Sequence, residues 1–335
     1  MMSKQTMLAM LRARPGAFVS GEQVSEQLGL SRTAIWKAVD ALRKEGYVIE
    51  ARTGQGYRLV SVPDLLTEEE VRSHLPATET VGRELRCFDE LDSTNTYAKK
   101  LALTGAADGT VVIADSQTAG RGRMERRFQS PKGKGIYLTA LLRPGMAPER
   151  FLPITALAGV AVCEAAEQVC GIRPQLKWPN DPVVNGKKIC GILTEMSMEG
   201  ETGRLQYLVV GIGINVLQQP EDFTEDVAAM ATSLLQVTGK PVSRAALSAA
   251  LIAALDRLYA ALKRGDLSEY LAVYRRDCVN VGKQVQLVRP DGSRQAVTAV
   301  DVDDQFSLVV RDEEGKTFTV RSGEVSVRGM YGYVE

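Results

Sequence analysis

The segment of this chain best suited to chemistry is residues 120–128, which read GRGRMERRF. Between Gln117 and Gly135 there are six Lys or Arg residues, one acidic residue and four glycines. Glycine weakens regular elements and arginine resists burial, so this composition predicts a loop rather than a helix or a core strand. Fixed positive charge in a loop suits a polyanion such as a nucleotide phosphate, although a solvated surface loop has the same composition.

Two other clusters could support a reaction. Apolar runs at 111–114 and 136–139 predict strands on either side of the cationic loop, and a long charged loop between two strands is more often functional than decorative. Further along, KWPND at 177–181 leads into GKKICG at 186–191, and GIGINV follows at 211–216. These clusters supply lysines, a carboxylate and glycines that let the backbone approach a ligand closely.

Composition excludes several kinds of chemistry. The only histidine, His74, argues against a Ser-His-Asp triad and against a histidine metal site. The 41 basic and 41 acidic residues cancel, so nucleic-acid binding requires a local patch. Five scattered cysteines predict free thiols in a reducing cytoplasm. The N-terminus lacks the apolar core of a signal peptide, and no apolar run approaches the length of a membrane span, so neither is expected.

Residues 1–62 are predicted to form a winged helix-turn-helix. Apolar spacing around Gly29 indicates two helices joined by a tight turn, and Ser31 is a good N-cap for the second. A hairpin pattern at 47–60 supplies the wing. Nine basic against five acidic residues over 1–60 favour DNA binding over a helical protein-interaction module. The predicted DNA contacts are Arg32, Thr33, Trp36, Lys37, Arg52 and Arg58, with packing against the wing as the alternative for Trp36.

A linker at 63–67 leads into a central domain at 68–279. Pro63 ends the preceding strand and Thr67 caps the next helix. Strands and helices cluster without strict alternation, which predicts an α+β fold with a mixed or antiparallel sheet. The predicted helices are 93–103, 151–169 and 244–263, and the predicted strands are 111–115, 135–142, 175–178, 188–196 and 206–216.

Residues 280–335 have a different sequence pattern, with short apolar runs and no helical periodicity. Five short strand patterns, separated by Pro-Asp-Gly and Glu-Glu-Gly turns, predict a small β-barrel. The chain as a whole is therefore predicted to be an α+β multidomain protein.

The three motifs at 120–128, 177–191 and 211–216, in this order, resemble those of biotin–protein ligases. With the N-terminal module, the match is to the bifunctional members, which ligate biotin and repress the biotin operon. The resemblance covers essentially the whole chain, and the three motifs together are far more specific than any one alone. It implies that the C-terminal strands form an SH3-like barrel touching nucleotide and protein substrate, with a purely structural cap as the alternative.

The resemblance implies a two-step reaction with ATP, Mg²⁺ and biotin. Biotin carboxylate attacks the α-phosphate of ATP, pyrophosphate leaves, and a lysine amine of an acceptor protein then attacks the biotinyl-adenylate. A carboxylate is already ionised, so the first step needs cations and hydrogen-bond donors but no general base. This chemistry accounts for an active site without a catalytic histidine.

Residue roles follow from the matched positions. The resemblance implies biotin contacts from Ser93, Thr94, Asn95, Gln117, Gly120, Arg121, Arg123, Lys188, Gly191, Gly211 and Gly213. It implies ATP or adenylate contacts from Arg123, Arg126, Phe128, Asn180, Asp181, Lys188 and Asn215. Lys188, Arg121 and Arg123 are the expected catalytic residues, and strand alternation turns Lys187 to the opposite face. No fixed metal site is expected; Mg²⁺ arrives with ATP near Asp181.

The loop departs from the commoner family pattern at two positions. Glu125 stands where a third glycine is usual, and Phe128 where a tryptophan is usual. Glu125 either places an anion near the phosphates, which would weaken retention of the adenylate, or points to solvent and pairs with Arg127.

The implied partners are a biotin carboxyl carrier protein, operator DNA and a second copy of the chain when adenylate is bound, in the cytoplasm and without a membrane. A lipoate–protein ligase and a non-catalytic biotin-sensing regulator remain as alternatives. A P-loop kinase or a dehydrogenase is disfavoured, because no Gly-x-x-x-x-Gly-Lys-Ser/Thr occurs and the glycine pair at 211 and 213 lacks its third glycine at Val216.

Overall fold

The structure is a computed structural model that describes residues 2–29, 31–122, 126–145, 147–200, 204–289, 291–321, 326–329 and 333–334. It forms two compact units, Met1–Asp64 and Leu65–Glu335. The helices are α1 Met2–Arg12, α2 Gly21–Leu28, α3 Arg32–Lys44, α4 Glu68–His74, α5 Thr94–Leu103, α6 Ile154–Cys170, α7 Glu225–Ala228, α8 Leu234–Thr238, α9 Arg244–Arg264 and α10 Ser268–Asp277. The strands are β1 Val48–Arg52, β2 Gly56–Ser61, β3 Leu85–Phe88, β4 Thr110–Ala114, β5 Gly135–Leu142, β6 Gln175–Lys177, β7 Asp181–Val184, β8 Lys187–Lys188, β9 Cys190–Met198, β10 Leu205–Asn215, β11 Gln284–Val288, β12 Arg294–Val302, β13 Leu308–Arg311, β14 Thr317–Val320 and β15 Ser326–Gly329.

The N-terminal unit contains three helices and a hairpin. The Ser31 hydroxyl caps α3 by accepting from the backbone N–H of Ala34, and Gly29 ends α2 in the left-handed conformation. Strands β1 and β2 pair antiparallel after α3. The predicted helix-turn-helix is confirmed, and the predicted hairpin follows it.

The larger unit is built on a five-stranded mixed sheet in the order β3-β4-β5-β10-β9. Only the β3–β4 pair among these is parallel; the others are antiparallel. Side chains alternate between the two faces. In β10, Leu208 and Val210 join the core beneath α6 and α9, whereas Val209 packs with residues of α5 on the opposite face. Of the two predicted kinds of sheet, mixed and antiparallel, the structure has the mixed one.

Helices α6 and α9 pack against each other and cover one face of this sheet. By length and hydropathy alone, segments Pro148–Cys170 and Arg244–Arg264 could cross a membrane. Most of each segment is buried inside the unit, which is the pattern of core helices.

A three-stranded antiparallel sheet, β6-β7-β8, lies beside the main sheet. Its second turn is Asn185-Gly186, and both residues have positive φ. Asn-Gly with two positive φ values is the preferred two-residue hairpin turn, so this short sequence sets the register that opposes Lys188 to Val183.

The C-terminal strands form a five-stranded antiparallel sheet in the order β14-β13-β12-β11-β15. This sheet is fastened to the central region by Trp178, whose indole N–H donates to the Phe306 carbonyl at 3.0 Å. Strand β13 begins only at Leu308, although the apolar pattern starts at Phe306, because Phe306 has φ 61° and belongs to the preceding turn. The predicted helix 151–169 likewise begins at Ile154, after the 3-10 helix Pro148–Phe151.

Candidate functional site

A cavity of about 240 Å³ opens over the sheet face that carries α5. Strand alternation brings Tyr137, Gly191, Leu193, Gly211 and Gly213 to this face. Among the described residues that line it there are six cations and one carboxylate. The cations are Arg121, Arg126, Arg127, Lys177, Lys188 and Arg328, and the carboxylate is Asp181. Such an excess of positive charge suits a phosphate-bearing ligand.

The start of α5 forms one wall of the cavity. The Ser93 hydroxyl accepts from the backbone N–H of Thr96, so Ser93 acts as the N-cap while it also lines the cavity. Thr94, the residue after Ser93, is held by Gln117. The Gln117 Oε1 accepts from the Thr94 backbone N–H at 2.8 Å and lies 3.1 Å from the Thr94 hydroxyl. These bonds fix the polar groups of this wall before any ligand enters.

Asn95 is held by several partners at the floor of the cavity. Its Nδ2 donates to the Leu193 carbonyl at 3.2 Å and to Glu195 Oε2 at 2.9 Å, while its Oδ1 lies 2.7 Å from the hydroxyl of Thr139. A β-carbon at Gly211 would overlap this amide. Glycine at 211 therefore makes room for Asn95.

Phe128 covers two of the glycines predicted to approach biotin. A β-carbon at Gly213 would lie 2.5 Å from the Phe128 ring, and one at Gly191 would lie 3.0 Å from it. The ring meets Tyr137 edge to face, with centroids 6.4 Å apart. In this state the glycines accommodate an aromatic side chain of the protein itself.

The cationic loop folds back on itself. The Gly122 N–H donates to the Arg126 carbonyl at 2.7 Å, and the Phe128 N–H donates to the Gly120 carbonyl at 2.9 Å. Arg121, Arg126 and Phe128 face the cavity. The predicted contact Arg123 and the unusual Glu125 lie outside the described residues.

Lys188 and Asp181 form the charged centre of the opposite wall. Lys188 Nζ lies 2.5 Å from Asp181 Oδ1, and the neighbouring Lys187 is exposed and donates to the Ala228 carbonyl. Burial would raise the pKa of Asp181, but the ammonium groups of Lys188 and Lys177 hold that pKa below its ordinary value. Lys188 therefore enters the cavity paired with a stable anion.

Glu195 connects the loop to the floor of the cavity. Its carboxylate accepts from Lys99 at 2.9 Å and lies 3.3 Å from Arg121. Burial would raise the pKa of Glu195, but hydrogen bonds from Lys99 and Asn95 hold it below its ordinary value. An ionised Glu195 thus restrains both Asn95 and the first arginine of the loop.

Replacing Glu195 with glutamine is expected to weaken binding of biotin, the ligand that the resemblance implies, by roughly threefold to fivefold, because a partly exposed ion pair contributes at most about 1 kcal/mol. Calorimetric titration with biotin measures the change. Glu164→Gln is the matched control, since Glu164 pairs with Arg257 on the protein surface at 3.1 Å. Equal biotin affinities for the two variants would show that Glu195 does not restrain the site.

Three predicted ligand contacts do not line the cavity in this structure. Asn180 is buried and donates to the Ile192 carbonyl at 3.0 Å, and Asn215 donates to the Thr232 carbonyl at 3.1 Å. Gly120 pairs with Phe128 across the loop, and a β-carbon at Gly120 would lie 2.3 Å from the Phe128 carbonyl oxygen. Their placement suits support of the backbone around the cavity.

The predicted DNA contacts of α3 share one exposed face. Arg32, Thr33 and Lys37 are exposed, and Trp36 is 56% exposed rather than packed on the hairpin. The buried face of the helix carries Ile35, Ala38, Val39 and Leu42. Arg52 and Arg58 lie on the hairpin; both pair with Glu50 and stack on the Phe18 ring.

Sequence reasoning missed five residues of the site: Tyr137, which lines the cavity, Thr139 and Glu195, which hold Asn95, and Arg328 and Tyr333, which also line the cavity. Strand alternation could have found the first three, since they share a face with Gly211 and Gly213. Arg328 and Tyr333 come from the far end of the chain, and no local pattern indicates that they reach this site.

Comparison with known proteins identifies the class. The profile of the biotin/lipoate A/B protein ligase family matches residues 87–215, and an HTH domain profile matches residues 3–58. Among solved structures, the biotin protein ligase from Aquifex aeolicus in complex with biotin and ATP is similar, with a TM-score of 0.63 and 30% identity. That match covers 74% of this chain and 99% of the other.

Relatives that match over nearly the full length define the particular family. The bifunctional ligase/repressor BirA of Bacillus subtilis (strain 168) is 39% identical over 298 residues, which covers 89% of this chain and 90% of the relative. The bifunctional ligase/repressor BirA of Escherichia coli (strain K12) is 29% identical over 313 residues, covering 93% and 94%. The chain therefore belongs to the family of bifunctional biotin–protein ligases with an N-terminal helix-turn-helix domain, and the predicted resemblance is confirmed.

Proposed function

We propose that this protein activates biotin with ATP to biotinyl-5′-AMP and transfers the biotin to a lysine of a biotin carboxyl carrier protein. The observation that carries this proposal is a single cavity in which a polar and glycine-lined floor faces six cations. The floor suits a flat neutral ring system, and the cations suit phosphate and carboxylate groups. The same chain carries a helix-turn-helix, which supports a second role as an adenylate-dependent repressor of biotin genes.

In the first step, an oxygen of the biotin carboxylate attacks the α-phosphorus of ATP. The bond from that phosphorus to the bridging oxygen of the β-phosphate breaks, and pyrophosphate leaves. Lys188 keeps its contact with Asp181 and donates another of its N–H groups to an α-phosphate oxygen. Arg121 and Arg123 neutralise the carboxylate and the phosphate from the loop. Ser93, Thr94, Asn95 and Gln117 hold the ring system of biotin from the α5 side.

The nucleotide occupies the side of the cavity nearer the hairpin β7–β8. Arg126 contacts the phosphates, and Phe128 leaves the glycine floor to cover the adenine once biotin is bound. Asn180 and Asn215 contribute to nucleotide binding indirectly, because their side chains hold the backbone carbonyls of Ile192 and Thr232. Asp181 is a carboxylate within this cavity, which fits a Mg²⁺ ion carried mainly by the phosphates of ATP. Such an ion would offset charge on the phosphates.

In the second step, the amine of the acceptor lysine attacks the carbonyl carbon of the mixed anhydride. An amide bond forms, the bond from the carbonyl carbon to the phosphate oxygen breaks, AMP leaves, and the nitrogen releases one proton to water. The C-terminal sheet, which we take to be the family's SH3-like barrel, borders the cavity through Val327 and Arg328 and is available to the carrier protein.

Pyrophosphate exchange tests the catalytic proposal. The purified protein is expected to exchange labelled pyrophosphate into ATP when biotin is present and not when lipoate replaces it. Exchange driven by lipoate would favour a lipoate–protein ligase, and no exchange with either acid would favour a non-catalytic regulator. A carrier-protein fragment labelled with biotin in the same mixture would demonstrate the second step.

We also propose that the adenylate-bound protein forms a homodimer in the cytoplasm and presents two copies of α3 to a palindromic operator. The exposed residues of α3 support this role. The chain then divides into a DNA-binding domain at 1–62, a linker at 63–67, a catalytic domain at 68–279 and a small barrel at 280–335. The free cysteines of the described chain agree with a reducing compartment.

The double substitution Arg32→Ala/Lys37→Ala is expected to weaken operator binding about tenfold or more. The slope of log affinity against log salt concentration should also become shallower by roughly two, the value for two lost phosphate contacts. Fluorescence anisotropy with DNA from upstream of the biotin genes, in the presence of biotin and ATP, measures both. Lys44→Ala is the control, because Lys44 is also exposed on α3 but pairs with Asp40 at 2.8 Å. If the control loses as much affinity as the double variant, α3 does not read the operator as proposed.

A further inference from the structure

Tyr333 lies near the end of the chain, yet its hydroxyl donates to Asp181 Oδ2 inside the cavity. The other oxygen of this carboxylate, Oδ1, accepts from Lys188 Nζ at 2.5 Å. Tyr333 and Lys188 therefore hold opposite ends of one carboxylate. A carboxylate held at both oxygens has a fixed plane, whereas one held at a single oxygen rotates about its terminal torsion.

The aromatic ring of Tyr333 has its own contacts with charged residues of the site. Lys177 Nζ lies 3.8 Å from the ring centroid, and the guanidinium carbon of Arg328 lies 5.8 Å from it. Both geometries are those of cation–π contacts. The ring thus contacts a cation of β6 and a cation of β15, and its hydroxyl contacts the pair formed by Asp181 and Lys188.

The residue after Tyr333 anchors this arrangement. Val334 is buried and packs with Val183 of β7 and with Val279, while Tyr333 lies against the same cluster. Val183 is also the residue that opposes Lys188 in the β7–β8 hairpin. Tyr333 and Val334 consequently pack against the strand pair that carries both Asp181 and Lys188.

We propose that Tyr333 is a positioning residue for adenylate formation, acting through Asp181 to hold Lys188 in the direction of the α-phosphate. The hydroxyl fixes the carboxylate, and the fixed carboxylate presents the ammonium group to the incoming nucleotide. This inference rests on the proposed function. It assigns a part in the first chemical step to Tyr333, which follows the last strand of the C-terminal sheet. Preorganisation of a charged group is worth most where charge develops in the transition state.

The test is a double-mutant cycle of Tyr333→Phe and Asp181→Asn, read by the single-turnover rate of biotinyl-adenylate formation at saturating biotin and ATP. Phenylalanine keeps the ring over Lys177 and removes only the hydroxyl. Tyr333→Phe alone is expected to slow adenylation about tenfold, the effect of losing a hydrogen bond to a charged group, with an unchanged KM for biotin. In the Asp181→Asn background the same change should have no further effect, because the residue through which it acts is already altered.

Tyr259→Phe is the matched control. The Tyr259 hydroxyl donates to the Asp108 carboxylate at 3.0 Å, and neither residue lines the cavity. This control loses the same kind of hydrogen bond, so its melting temperature should fall about as much as that of Tyr333→Phe. Its rate of adenylation should stay that of the unaltered protein. The inference is overturned if Tyr333→Phe is no slower than Tyr259→Phe, or if it slows adenylation by the same factor in both backgrounds. If the unaltered protein makes no adenylate, the proposed function itself fails, which is a separate result.

Discussion

Lys188→Ala is expected to slow biotinyl-adenylate formation by about 100-fold or more while leaving the protein folded. The substitution removes the cation of β8 that faces the cavity, and charge developing on the α-phosphate oxygens then has no fixed ammonium group at this position. The loss should appear in the rate at saturating substrates, because Lys188 acts on charge that forms only in the transition state. Single-turnover assays with labelled ATP measure that rate.

The control for this prediction is the preceding residue. Lys187→Ala removes an exposed ammonium group that donates to the Ala228 carbonyl outside the cavity, and its adenylation rate should stay within about twofold of the unaltered protein. Equal losses for the two lysines would contradict the role of Lys188. A loss at Lys188 that appeared only as a higher KM would limit its role to binding in the ground state.

Gly211→Ala is expected to lower the free energy of unfolding by about 1–3 kcal/mol, because the new methyl group overlaps the amide of Asn95. Asn95 cannot move freely, since Leu193, Glu195 and Thr139 all hold its side chain. The displaced amide would also disturb the floor that we assign to biotin, so biotin affinity should fall about tenfold. Chemical denaturation and calorimetric titration measure the two effects.

Gly200→Ala separates this steric effect from the general cost of replacing a glycine. Among the described residues, no atom beyond the chain neighbours lies within 4 Å of a β-carbon built at Gly200, so this variant should keep its stability and its biotin affinity. The prediction fails if Gly211→Ala is as stable as the control and binds biotin equally well. That result would show that the Asn95 side chain can move to make room for the methyl group despite its hydrogen bonds.

Local patterns predicted much of this arrangement. Ser31 was predicted as the N-cap of the second helix and caps α3, because N-capping depends on residues only a few positions apart. The period of two in a strand predicted that Lys187 and Lys188 would face opposite ways, and only Lys188 lines the cavity. The mixed sheet followed from elements that cluster without alternating.

Contacts between distant parts of the chain could not be predicted in this way. Asn180 and Asn215 belong to conspicuous motifs, yet their amides satisfy buried backbone carbonyls, which is a common demand on buried polar groups. Phe128 occupies the space above Gly213, a contact that depends on how the loop folds back. Tyr333 reaches Asp181 across 152 positions in sequence, and periodicity carries no information about such a contact.

The central claim is that one cavity joins the carboxylate of biotin to AMP. Incubation of the purified protein with biotin and ATP labelled at the α-phosphate, followed by separation of the products, tests it most directly. We expect a labelled compound that co-migrates with biotinyl-5′-AMP, forms only when biotin is present and disappears when carrier protein is added. If label remains in ATP and no acyl-adenylate forms with biotin, this cavity does not perform the proposed reaction.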